Sequence, residues 1–308
     1  MEFFFNNPLL FGEETLNSSH LFIGRWFDLC MIAVTGMGSE LFYTLMLPVL
    51  YWCYDKKNTI KIGTVFLFSA ALNDMLKEIF QNPRPDPENL LEGIKQLNIA
   101  YLPDSPGFPS GHTQNTASFF GSIVYLSKNI YIRIFSILLI LLIPYSRLYL
   151  AVHYLGDVLG GYLFGFMTLF ILFPIFVVIG KRTDQLNETI LSAGIIFFSM
   201  LVYKIIPGNS VSKIMGTFAG FLVGTIYAET RIRFDPKGNF AAGIIKTFTG
   251  LVSLLAIKSG LKAILPPLPL SEFARYFVMG FWVTFIAPYV FSRYTLLRGN
   301  AQKSIADA

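Results

Sequence analysis

Apolar segments long enough to cross a bilayer recur along this chain, separated by short basic turns, and that alternation restricts the fold more than any other feature. Ile190 to Ile206, Met215 to Ala228 and Phe277 to Phe291 are examples, and a helix needs about 20 mostly apolar residues to span the hydrocarbon core. Of the 308 residues, 54% are hydrophobic, 16% aromatic and only 14% charged, against roughly 25% charged in ordinary soluble domains. The segments lack the strict alternation of a β-barrel, so helices must satisfy the backbone in lipid. The sequence therefore predicts an all-α fold, a polytopic transmembrane helical bundle.

Spans are expected at about 39–54, 60–82, 111–127, 134–150, 155–179, 189–206, 213–229, 241–261 and 275–292. Leu21 to Val34 makes a tenth if it crosses, but Arg25 and Asp28 favour an amphipathic helix on the surface, because charge within lipid is costly. Lys262 to Ser271 holds Pro266, Pro267 and Pro269, which rule out a continuous helix and suggest an in-plane or re-entrant element. The connection from Lys181 to Glu188 divides the chain into an amino-terminal segment (1–38), a core bundle (39–181) and a carboxy-terminal transmembrane bundle (182–308).

The net charge of +5 is scattered over alternate connections: Lys56, Lys57 and Lys61; Lys128 and Arg133; Lys181 and Arg182; Arg231, Arg233 and Lys237; Arg293, Arg298 and Lys303. This is the positive-inside pattern of cytoplasmic turns rather than a nucleic-acid stripe, so the expected partner is the bilayer, not nucleic acid. The polar interval from Asn82 to Pro109 then lies on the opposite face, as does the stretch from Ser146 to Asp157, where the span at about 134–150 emerges. That face is extracytoplasmic in a bacterial plasma membrane, the placement expected here, and lumenal in an endomembrane. Cys30 and Cys53 sit in apolar surroundings and are expected to be small buried hydrophobes. Met1 to Ser19 carries Glu13 and Glu14 and does not read as a cleaved signal peptide.

Three short polar segments fall on that opposite face. Lys77 and Arg84 lie seven residues apart, close to two helical turns, so both can project from one face before Pro83 and Pro85 stop the helix around Arg84. Lysine supplies a point charge and arginine a planar fork that fits phosphate oxygens. Pro109, Ser110, Gly111 and His112 open an apolar helix, where free backbone N–H groups and the helix dipole attract anions. Four residues separate His153 from Asp157, placing them on one helical face. There the carboxylate can fix the imidazole tautomer and leave the other ring nitrogen as a nucleophile. Arg147, six residues before His153, would stand about 120° away on a straight helix, so a break is expected between them.

Each segment alone has a plainer reading: two cations reaching for headgroups, a helix capped by Ser110, a satisfied His–Asp pair in a bundle. Together they gather two of the chain's three histidines with three cations, the positioning and charge stabilisation that phosphoryl transfer requires. His, Asp and Glu form no cluster at metal-ligand spacing, so neither metal nor cofactor is expected.

These segments resemble the three-part signature of the type 2 phosphatidic acid phosphatase superfamily. Lys77 precedes Arg84-Pro85 by the required spacing, Pro109-Ser110-Gly111-His112 follows, and Ser146-Arg147, His153 and Asp157 complete it, every fixed position being matched. The resemblance covers about residues 40–180. It implies a six-helix core and a metal-independent lipid phosphatase. His153 would attack phosphorus to give a phosphohistidine, supported by Asp157. His112 would protonate the leaving group and then activate water. Lys77, Arg84 and Arg147, with Ser110 and Gly111, would hold the phosphoryl oxygens. The further helices after Lys181 are similar to longer branches such as the sphingosine-1-phosphate phosphatases and glucose-6-phosphatases. Two other activities fit the same residues: a lipid phosphotransferase using the same phosphohistidine, and a phospholipid transporter or flippase that only binds a headgroup. On this reading His153 carries a surface-exposed ring whose removal leaves the fold intact.

Overall fold

A computed structural model describes residues 5–19, 24–179, 187–206, 209–232 and 234–294. Among these residues every regular element is helical. The order is α1 (Pro8–Phe11), α2 (Glu13–Ser19), α3 (Arg25–Gly36), α4 (Glu40–Cys53), α5 (Lys56–Phe80), a 3₁₀ turn (Pro87–Asn89), α6 (Glu92–Tyr101), α7 (Gly111–Leu126), α8 (Ile130–Tyr149), α9 (Leu155–Ile179), α10 (Glu188–Ile205), α11 (Asn209–Arg231), α12 (Phe240–Ile264) and α13 (Pro269–Phe281). A π-helical turn (Trp282–Ile286) continues α13 into α14 (Ala287–Arg293). Seven of these helices are long and apolar enough to span a bilayer, or up to eight if α3 and α4, bent by 55°, form one span. The protein is a multi-pass membrane protein.

The count is close to the nine or ten expected, and the shortfall has a simple cause. At 16 residues, α7 is about 24 Å long against a hydrocarbon core of about 30 Å. Its polar side chains Thr113, Gln114, Thr116, Ser118 and Ser122 are buried in the bundle. The proline-rich interval after α12 is a tight break rather than an in-plane element: α12 runs on to Ile264 and Pro269 already starts α13, where a missing N–H costs nothing. Cys30 is exposed, not buried, while Cys53 is half-buried, and both are free thiols. The expected boundary at Lys181, the basic residues Arg182, Arg233, Arg298 and Lys303, and the start of the Leu21–Val34 segment lie outside the described residues.

Contacts group the chain into two compact units, residues 1–43 with 68–173 and residues 44–67 with 174–308. In the first unit, α9 lies close against α7 because its contact face is glycine. A Cβ on Gly161 would meet Ser110 O at 2.8 Å and one on Gly165 would meet Gln114 O at 2.8 Å. Small residues permit this backbone approach where lipid offers no hydrophobic drive. The amide side chains of the next layer fix the register: Asn73 Nδ2 donates to Pro109 O (3.2 Å) and Gln114 Oε1 (2.9 Å), and Gln114 Nε2 donates to Ser69 O (2.8 Å).

The second unit uses the same device. A Cβ on Gly280 would lie 2.5 Å from Thr217 O, so α11 and α13 cross with backbones in contact. Around that crossing Tyr51, Trp52, Phe234, Leu254, Met279, Val283 and Phe291 form an apolar core. Trp52 Nε1 donates to Val283 O at 2.8 Å, and the fully buried Lys246 donates to Pro236 O at 2.9 Å, so these two polar groups inside the unit have backbone partners, as lipid demands.

Candidate active site

All three signature segments fall in the first unit. Helix α5 ends at Phe80, four residues before Arg84, which corrects the expectation that Lys77 and Arg84 share a helical face. Gln81 turns the chain at φ 44°, a left-handed conformation costly for a side chain with a Cβ. The extended stretch that follows brings Arg84 back toward the bundle. Lys77 remains on the helix, buried, with its ammonium donating to Pro106 O. Arg84 is clamped along the same loop: Nε donates to Ser105 O (2.6 Å), Nη2 to Ser105 Oγ (3.2 Å) and Nη1 to Val152 O (2.7 Å).

Helix α7 begins at Gly111 with Ser110 as its N-cap, but the Ser110 hydroxyl makes no capping bond to the backbone and instead accepts from Thr113 Oγ1 at 3.1 Å. The Ser110 N–H donates to Asp157 O at 2.9 Å, tying the second segment to the third. Gly111 is pressed against Asn73, whose Oδ1 would lie 3.1 Å from an added Cβ. His112 lies half-buried in the first turn of α7 against the α3–α4 turn, where a Cβ on Gly38 would stand 2.9 Å from its Cδ2. Gly38 leaves room for the ring.

The break expected between Arg147 and His153 is present. Helix α8 stops at Tyr149, Ala151 turns at φ 49°, and α9 starts only at Leu155. His153 therefore sits in the turn, not on a helix, and meets Asp157 across the first turn of α9, with Nδ1 3.1 Å from Oδ2. The same Oδ2 accepts the Tyr154 N–H at 3.0 Å. The ring is buried, 1% exposed, contrary to the exposed ring expected, because the turn folds inward beneath the Asn82–Pro109 interval. Sequence reading missed that interval's helix, α6; its signal was the apolar spacing of Ile94, Leu97 and Tyr101. Its Asn98 Nδ2 donates to Ala151 O at 2.6 Å and so holds the strained turn from outside.

The hydrogen bonds set the state of His153. Arg84 Nη1 stands 3.0 Å from Nε2, and a guanidinium can only donate. Nε2 therefore carries the lone pair and Nδ1 the proton shared with Asp157, the tautomer a nucleophilic Nε2 requires. Burial holds the imidazole pKa well below its ordinary value, and the fields of Arg84, Arg147, Lys77 and His112 push the same way. Those four fields also show which predicted groups surround His153. Arg84 is lowered by burial to about 10, partly offset by Asp157, and stays charged at neutral pH.

Arg147 is 3% exposed, and its Nη1 donates to Thr35 Oγ1 at 2.7 Å. Its Nε is buried with no hydrogen-bond partner among the described residues. Three gathered cations, with Asp157 and with Asp74 beside Lys77 as the compensating charges, leave an excess of positive charge, and buried cations of this kind call for an anion. Among the described residues no group of three His, Cys, Asp or Glu side chains is arranged to hold a metal ion.

Residues 58–181 match the PAP2 superfamily, and residues 212–302 match the PAP2 superfamily phosphatase transmembrane extension. The chain belongs to this superfamily of membrane phosphatases and is a lipid phosphatase by family. Sphingosine-1-phosphate phosphatase 1 of Mus musculus is 24% identical over 84% of this chain and 70% of its own length. Phosphatidylglycerophosphatase B of Bacillus subtilis (strain 168) is 27% identical over 54% of this chain and 83% of its own. Among solved structures, the first transmembrane PAP2 type phosphatidylglycerolphosphate phosphatase from Bacillus subtilis aligns with a TM-score of 0.41 at 25% identity, covering 57% of this chain and 86% of that one.

Proposed function

We propose that this protein hydrolyses a lipid phosphate or diphosphate through a phosphohistidine on His153. The observation that carries the reading is the hydrogen-bonded line from Asp157 through His153 to Arg84. It leaves a lone pair on Nε2 facing a guanidinium, where a phosphoryl group would find its nucleophile and a fork for its oxygens together.

In the first step the Nε2 lone pair attacks phosphorus and the bond to the ester oxygen breaks. Burial and the neighbouring cations disfavour a protonated His112, and the negative charge of the bound phosphoryl group offsets them; the proton of His112 then goes to the departing alkoxide, while the Nδ1 proton remains on His153, hydrogen-bonded to Asp157. In the second step neutral His112 takes a proton from water, the oxygen attacks phosphorus, and the P–N bond breaks to release phosphate and restore both histidines. Lys77, Arg84 and Arg147 hold the equatorial oxygens throughout, helped by Ser110 and the Gly111 backbone.

Two further points belong to the same proposal. The substrate carries a lipid tail, a reading supported by the long apolar helices of the chain and by the relatives named sphingosine-1-phosphate phosphatase and phosphatidylglycerophosphatase. The site faces the extracytoplasmic side of a bacterial plasma membrane, or the lumen in an endomembrane, because Lys56, Lys57, Lys128 and Arg133 sit at the other ends of the helices. Within this scheme residues 39–181 form the catalytic core and 182–308 the carboxy-terminal bundle.

The test is phosphate release by the purified protein from a panel of lipid phosphates, lipid diphosphates and water-soluble sugar phosphates, with His153→Ala as control. Lipid substrates should turn over and the variant should not. Near-normal activity of His153→Ala would remove the nucleophile assignment, and cleavage of sugar phosphates alone would remove the lipid one.

A further inference from the structure

The stretch from Arg147 to Tyr154 carries a cation at one end and the nucleophile near the other, and residues from before the matched phosphatase region hold it along its length. Tyr154 Oη donates to Glu13 at 2.8 Å, Tyr149 Oη donates to Asp28 at 2.6 Å, and Arg147 Nη1 donates to Thr35 at 2.7 Å. All three acceptors lie on α2 or α3, ahead of residue 58, where the phosphatase match begins. The third tether differs from the other two because it ends on the guanidinium itself.

We propose that Thr35 is the positioning residue for Arg147, so that the helix ahead of the phosphatase domain sets how tightly the site grips a phosphoryl group. The inference rests on the reading that Arg147 binds phosphate oxygens. Thr35 and Arg147 are both buried, so neither can trade this bond for one to bulk water. Arginine has long, soft rotamers and offers five donors in a rigid plane. Anchoring one Nη fixes the rotation of that plane and hence the direction of the other donors, including the buried Nε that has no partner among the described residues. A threonine suits this task, since its hydroxyl accepts while its branched Cβ restricts χ1. The last turn of α3 is in turn held by Gly38 N–H donating to Thr35 O at 2.9 Å. The glycine that leaves room for His112 thus also closes the helix that presents Thr35.

The experiment measures inorganic phosphate as a competitive inhibitor of lipid phosphate hydrolysis, and independently as a ligand that raises the unfolding temperature of the detergent-solubilised protein. Thr35→Val keeps the shape and removes the acceptor; Thr35→Ser keeps the acceptor. Hydrogen bonds to charged groups of this kind translate into about ten- to hundredfold in binding. Thr35→Val should therefore weaken phosphate by at least about tenfold and raise KM more than it lowers kcat, while Thr35→Ser stays within about threefold of the parent. Tyr149→Phe removes a neighbouring tether without touching Arg147 and should leave phosphate affinity within about twofold. The proposal is overturned by a folded Thr35→Val with parental phosphate affinity, by equal loss in Thr35→Ser, or by equal loss in Tyr149→Phe. If Thr35→Val does not fold, Thr35→Ala against Thr35→Ser makes the same comparison, and failure of both to fold overturns it too. Parental protein that neither turns over lipid phosphates nor binds phosphate would instead sink the underlying enzyme reading.

Discussion

Asp157→Asn is the sharpest perturbation of the proposed chemistry, because it changes a charge and a tautomer preference while keeping the side chain's shape. Asp157 Oδ2 accepts from two donors, the His153 ring at 3.1 Å and the Tyr154 N–H at 3.0 Å. An amide oxygen in the place of Oδ2 could still accept both, but as a neutral acceptor it gives up the charge that assists the His153 bond. With the amide turned over, its N–H₂ faces Nδ1 and favours the tautomer with its proton on Nε2, which removes the lone pair from that nitrogen. That tautomer also cannot accept from Arg84 Nη1, now 3.0 Å away. Losing one charge-assisted hydrogen bond removes about 1.5–3 kcal/mol, or roughly 10- to 150-fold in rate, and the misplaced proton adds to that. The expected loss in kcat/KM is therefore at least about hundredfold. Phosphate release in detergent micelles is the assay, with the unfolding temperature as the control for folding. A folded Asp157→Asn protein within about threefold of the parent would refute the role given to the pair.

Two more outcomes follow from the geometry. Because burial and nearby cations lower the His153 pKa, its imidazole should stay neutral as pH falls through the usual range near 6.5; NMR titration of a chain with only three histidines reads this directly, and a midpoint above 6.5 would contradict it. Gly161→Ala pushes a methyl to 2.8 Å from Ser110 O, so it should destabilise the first unit by about 1–3 kcal/mol and depress activity through the displaced Ser110; unchanged unfolding temperature and activity would refute the close approach of α9 to α7.

Much of the site could be read without coordinates, for a physical reason. The signature is carried by rare residues in a chain poor in charge, and the turn between Arg147 and His153 followed from helical phase alone. Other features left less trace. His153 was placed on a helix because four residues is a helical spacing, yet the pair meets across the start of α9, where a turn residue reaches the first helical carboxylate equally well. Arg84 was assigned to the end of α5, whereas Gln81 at φ 44° ends that helix early, and no local propensity marks glutamine for a left-handed turn. Thr35, Glu13 and Asn98 escaped notice because their partners lie 112, 141 and 53 residues away, and long-range hydrogen bonds have no periodicity. The close helix crossings in both units were foreshadowed only by glycines within apolar runs, which mark the approach and not the partner.

The central claim is a covalent phosphohistidine on residue 153, and rapid quenching of turnover with a lipid substrate labelled in its phosphoryl group tests it most directly. His112→Ala should accumulate label on the protein when the leaving group is good, since the water that clears the intermediate loses its base. That label should be acid-labile, alkali-stable, located on His153 and absent from the His153→Ala protein. Turnover without any label on the protein in the His112→Ala background, or label on a different residue, would contradict the account.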